Sequence, residues 1–176
     1  MDPYLRRLHE ELSSEVGNWK LAQMNWHPPE KWSAAEILEH LYLTYTGTVK
    51  GFERILESGR AKASIHTWKN RLQAVIVVSL GYLPTGREAP THSRPKGLPA
   101  EKIAANIAPQ IALMDKVLAE CAAKFGPRTK VLDHPFLGPF SIRQWRKFHL
   151  VHGRHHLKQL RRLRAELQRN RSEELS

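Results

Sequence analysis

Cys121 is the single cysteine of this 176-residue chain, so no internal disulfide can form. Its neighbours, Leu118 to Ala123, read as helix, where a small core or surface residue is expected rather than a reactive thiol. Long apolar runs are also missing. The longest, Ala74 to Leu80, falls far short of the roughly 18 residues a membrane span needs, so no membrane association is expected. The opening residues Met1-Asp2-Pro3-Tyr4-Leu5-Arg6-Arg7 hold no apolar stretch of the secretion-signal kind, and the cytoplasm is the expected location. Acidic residues are scarce in one place. Between Ser141 and Arg171, Glu166 is the one acid among ten Lys and Arg residues, so this segment carries most of the net charge of +11.

Strand signals are weak and helix signals strong. Leu5, Leu8 and Leu12 stand at helical spacing from Pro3 to about Val16, with Gly17 at the end. Trp19, Met24, Trp26 and Pro28-Pro29 fill a connection. Ser33-Ala34-Ala35-Glu36 is a capping box, in which serine and glutamate side chains satisfy free amides of a first helical turn. The helix it opens runs to about Ser58 and stops at Gly59. A third helix is expected from about Thr67 to Leu80, followed by a long Pro- and Gly-rich loop to Pro99 of the sort that covers a pocket. A further helix spans about Ala100 to Phe125. Pro127 and Gly138-Pro139 bracket another loop, Ser141 can cap the last helix, and that helix reaches about Asn170. The tryptophans Trp19, Trp26, Trp32, Trp68 and Trp145 are expected to anchor helix ends and core. The expectation is an all-α fold, a four-helix bundle with an additional short helix and long connecting loops. It forms one domain over residues 1–171, with a polar tail at 172–176.

The last helix divides by face. At about 100° per residue, His149, His152 and His156 share a side with Trp145 and Leu163, and His155 lies toward its edge. Imidazoles four residues apart stand one turn above each other and can converge on one ion. His40, flanked by apolar residues on the second helix, offers a ligand from across the fold. Three neutral imidazoles with an open position suit Zn, Ni, Fe or Cu. Glu36 lies one turn before His40, as a cap or as a catalytic or supporting group of the site. Glu39 points elsewhere, to solvent or an interface. Gln159 stands beside His152, within reach of a ligand imidazole, and Trp145 is a core residue or a pocket wall. Opposite the histidines, Arg143, Arg154, Lys158 and Arg161 form a solvated basic stripe that could bind phosphates non-specifically.

Trp32-Ser33-Ala34-Ala35-Glu36-Ile37-Leu38-Glu39-His40-Leu41 resembles the second-helix motif of the DinB-like superfamily, and His152-Gly153-Arg154-His155-His156 resembles its last-helix motif. The segment from His134 to Ser141, leading into Trp145, is similar to a branch of that superfamily without assigned function. The resemblance implies a four-helix bundle, often a homodimer, that binds a divalent metal through His40, His152 and His156, with Zn or Ni the expected ion. It implies a metal-dependent enzyme of thiol-transferase or hydrolase type, acting on a small molecule such as a low-molecular-weight thiol. His149 and His155 stand as further candidates to ligate, support the site or bind substrate. The competing reading is a non-catalytic metal-binding or nucleic-acid-associated protein using the basic last helix.

Overall fold

The computed structural model describes residues 1–64, 68, 75–79, 81 and 89–174. Four long helices carry most of them. Helix α1 (Pro3–Gly17) begins where Asp2 accepts a hydrogen bond from the Tyr4 amide, with Pro3 preset for the first turn. Helix α2 (Ala34–Ser58) opens on the expected capping box. The Glu36 amide donates to Ser33 Oγ at 3.2 Å, and the Ser33 amide donates to Glu36 Oε2 at 2.8 Å. It closes at Gly59, whose φ of 66° is left-handed and favours glycine. Helix α3 (Ala100–Phe125) and helix α4 (Ile142–Glu174) complete the set. Ser141 caps α4 as expected, accepting from the Gln144 amide while Gln144 Oε1 accepts from the Ser141 amide.

Helix α2 packs chiefly on α3, and α1 lies along α4 and also touches α3. Between them lies a continuous core of Leu5, Leu8, Leu12, Phe52, Ile107 and their neighbours. Cys121 is fully buried in it. Burial pushes its thiol up to about 11, so it is inert. Helix α1 packs tightly on α4 at Gly153, where an added Cβ would clash with Leu8 Cδ1. Gly153→Val should therefore cost about 1–3 kcal/mol through overpacking, measurable as a lower urea midpoint. An unchanged midpoint would show that α1 can move aside.

Three expectations change. The loop bracketed by Pro127 and Gly138-Pro139 contains an antiparallel hairpin, β1 (Lys130–His134) with β2 (Gly138–Ser141). Its strands are too short for a period-two pattern to show, and Pro139 argued against one. The last helix continues through residues 172–174, assigned above to the tail, because no Gly or Pro follows Asn170 to stop it. Trp68 is 78% exposed and so lies outside the core. The third helix expected from Thr67 to Leu80 lies mostly outside the described residues. Its described part includes a π-helical turn, Val75–Ser79, which packs on α4 with Val77 and Val78 buried. Of the loop to Pro99, the described part includes a 3-10 turn at Thr91–Ser93.

The basic stripe of α4 is solvated in part: Arg143 and Lys158 are exposed, while Arg154 and Arg161 are paired, as are Arg146 and Arg164 beside the stripe. Arg154 pairs with Glu11, Arg161 and Arg164 both reach the buried Glu15, and Arg146 pairs with Asp2. All three acids belong to α1 or its cap, a tertiary arrangement that a wheel of one helix cannot show.

Candidate metal centre

The capped start of α2 places His40 in that helix's second turn, facing α4. There His152 and His156 stand four residues apart on one face. His152 Nε2 lies 3.3 Å from His40 Nε2 and 3.1 Å from His156 Nε2. One ligand atom from each of the three lies within 4.8 Å of the others, and no other such group occurs among the described residues.

Hydrogen bonds fix which nitrogens face inward. The Ser93 carbonyl can only accept, so His40 Nδ1 carries the proton at 2.8 Å and Nε2 keeps its lone pair. With the Gln159 amide as oriented, its Oε1 accepts from His156 Nδ1 at 2.7 Å, leaving His156 Nε2 unprotonated too. Gln159 Nε2 then donates to His155 at 3.2 Å. Burial holds all three rings toward the neutral form. It lowers His40, with the Ser93 bond opposing, pushes His156 down to about 3, and holds His152 well below its usual range with its two imidazole neighbours adding to the effect. At most one ring proton, on His152 Nε2, could serve both short contacts. His152 Nδ1 is sealed without a hydrogen-bond partner.

A divalent cation fits this donor set. Tetrahedral zinc at about 2.0–2.1 Å from each nitrogen requires ligand atoms about 3.3–3.4 Å apart, close to the two short separations found. Ser93 and Gln159 supply the outer hydrogen bonds that orient ligating imidazoles. Gln159→Leu should leave the metal stoichiometry intact but weaken affinity about 10–100-fold, as read by competition with a chromogenic chelator. Unaltered affinity would remove Gln159 from the site.

Glu39, expected at solvent or an interface, is 1% exposed. Its carboxylate accepts from the amides of Lys96, Gly97 and Leu98 at 2.8–3.1 Å, clamping to α2 the segment that carries Ser93. The backbone of residues 96–98 covers the direction in which Glu39 points. Glu36 is taken up by the capping box and does not line the histidine cavity. His149 lies outside the ligand set. It is fully buried, with Nε2 at 3.1 Å from Thr48 Oγ1 and its ring stacked on Trp145. His155 also stays outside, half-buried and tied to Gln159. Trp145 serves both expected roles, buried yet lining the cavity.

That cavity holds about 1000 Å³, ample for a small-molecule ligand. Phe148 stacks on His152 with ring centroids 5.4 Å apart, and Trp32 lies 5.5 Å from His40. Four contributors went unnoticed in sequence. Ser93 acts through its backbone, which has no residue signature, and Phe148 lies just off the histidine face of the wheel. Trp32, expected only as an anchor of a helix end or the core, and His134, part of a longer motif, also stand in the cavity wall.

Residues 21–163 match the family model described as Protein of unknown function (DUF1569). The chain belongs to DUF1569. The matched stretch contains all three histidines, together with Ser93 and Gln159, whereas α1 lies before it. No curated protein and no solved structure matches the chain.

Buried neutral histidines make this DUF1569 chain sensitive to acid. His134 and His149 are pushed down to about 4 and about 3, burial being the largest cause in each. In the unfolded chain they titrate near about 6.5. Between those values the unfolded state binds the extra proton, so stability falls as pH drops. Each group costs roughly 1.4 kcal/mol per pH unit until its folded value is reached. The urea midpoint of the metal-free protein should be steady above about pH 7 and decline steadily toward about pH 5. A flat midpoint would contradict their burial as neutral rings.

Proposed function

We propose that this protein is a metal-dependent enzyme of transferase or hydrolase type, built on a DinB-like four-helix bundle. Its ion is Zn²⁺ or Ni²⁺, held by His40, His152 and His156. The observation that carries this reading is the convergence of three imidazole Nε2 edges on the wall of a large cavity. A divalent ion with three nitrogen ligands and an open position supplies a Lewis acid that lowers the pKa of bound water or binds a thiolate. The chain's own residues do the rest. Ser93 and Gln159 fix the ring orientations, Phe148 and Trp32 cover ring faces and exclude water, and the cavity admits a small molecule, with a low-molecular-weight thiol or an ester as the substrate classes to assay.

The nucleic-acid reading loses ground to the ion pairs of α4 with α1, since Arg146, Arg154, Arg161 and Arg164 are already engaged. No helix among the described residues is long and apolar enough to cross a membrane. Metal analysis of the purified protein beside His40→Ala and His152→Ala tests the proposal. One equivalent in the parent and far less in both variants is expected, with any thiol-adduct or ester turnover abolished by chelation. Equal metal content in all three would overturn it.

A further inference from the structure

His134 closes β1 at the hairpin turn and forms part of the wall of the same cavity. The amides of Phe136 and Leu137 both donate to its Nδ1, each at 3.3 Å. A nitrogen that accepts from two amides carries no proton, so the ring proton sits on Nε2. Nε2 makes no hydrogen bond among the described residues, and the side chain is only partly buried. The ring is held by aromatic neighbours, with Phe148 at 4.4 Å and Phe140 at 5.4 Å between centroids. Phe148 in turn stacks on His152, so one aromatic ring separates His134 from the metal site.

A side chain with a fixed tautomer, a rigid setting and one unspent donor is the kind of polar group that orients ligands in a largely apolar pocket. We infer that His134 is a substrate-binding residue whose Nε2–H donates to a carbonyl or carboxylate oxygen at the far end of a ligand lying across Phe148, its head at the His40–His152–His156 site. This rests on the metal-site reading above and adds a substrate class to it: small molecules with a coordinating head and a hydrogen-bond acceptor several bonds away. Because burial keeps the ring neutral at ordinary pH, it acts as a donor and not as a fixed charge.

The test uses the Co²⁺-loaded protein, titrated with azide, acetate, malonate, succinate and glutarate while the visible absorption of cobalt is followed. Azide and acetate reach the metal alone, whereas a dicarboxylate of the right length reaches both points. One dicarboxylate should bind at least about tenfold more tightly than acetate, a difference of about 1.4 kcal/mol. His134→Phe, which keeps an aromatic ring in place, should erase that preference and leave azide affinity and cobalt stoichiometry as they were. In the parent protein loaded with diamagnetic Zn²⁺ the preferred dicarboxylate should shift the ¹⁵N resonance of His134 Nε2, a reading that needs no variant to fold. The inference is overturned by equal affinities across the series, by a preference that survives His134→Phe, or by an unshifted resonance. Failure of cobalt to bind the parent protein at all would remove the metal site and this inference together. Cobalt binding without a dicarboxylate preference removes only the latter.

Discussion

Zn²⁺ at a thousand times its dissociation constant should raise the unfolding temperature by roughly 8–16 °C. The linkage is direct, since an ion that binds only the folded chain adds about 4.1 kcal/mol at that excess. For a chain of this length each kcal/mol is worth about 2–4 °C. In the unfolded chain His40 is separated by more than a hundred residues from His152 and His156, so the three-ligand site exists only on folding. His152→Ala should abolish the shift, because His152 Nε2 is the atom common to both short contacts. The metal-free temperatures of parent and variant serve as the reference. A rise of the same size in His152→Ala would place the ion elsewhere, and the half-buried His9 and the exposed His27 would be the next groups to test.

Glu39→Ala should cost roughly 3 kcal/mol or more, because three amides of the 96–98 segment lose an acceptor worth about 1–3 kcal/mol each. The unfolding temperature is then expected to drop by roughly 6–12 °C. The loss should not be confined to stability. Glu39 holds the chain just beyond Ser93, and Ser93 sets the tautomer and direction of His40. Zinc affinity should therefore fall as well, although the Glu39 carboxylate is bonded to the 96–98 amides and not to an imidazole of the candidate site. Glu39→Gln keeps one acceptor oxygen and should recover part of both losses. If Glu39→Ala lowers stability without altering zinc affinity, the clamp serves the fold alone.

What could be foreseen from the residues was local chemistry. The Ser33–Glu36 capping box, the Gly59 stop and the Ala100–Phe125 helix depend on neighbours a few positions away, and they stand where their patterns put them. The pairing of His152 with His156 follows from one helical turn. Their meeting with His40 is tertiary, and it was within reach because both stretches are apolar on the histidine side. Other features were out of reach for definite reasons. The Ser93 carbonyl looks like any other backbone group in a sequence. Glu39 looks solvent-facing on its own helix, and only the folding of residues 96–98 over α2 buries it. The β1–β2 hairpin is nine residues of strand in two pieces, too short to alternate visibly, so the setting of His134 went unseen. Arg146, Arg154, Arg161 and Arg164 read as free charge until α1 brings Asp2, Glu11 and Glu15 against them.

X-ray absorption at the zinc edge of the loaded chain tests the central claim most directly, because it counts and identifies the ligands without requiring a substrate. Three imidazole nitrogens at about 2.0–2.1 Å, with one further light atom in the open position, are predicted. In His152→Ala the number of imidazoles should fall to two or the signal should vanish with the metal. A sulfur ligand, or fewer than three imidazoles in the parent protein, would contradict a centre built from His40, His152 and His156.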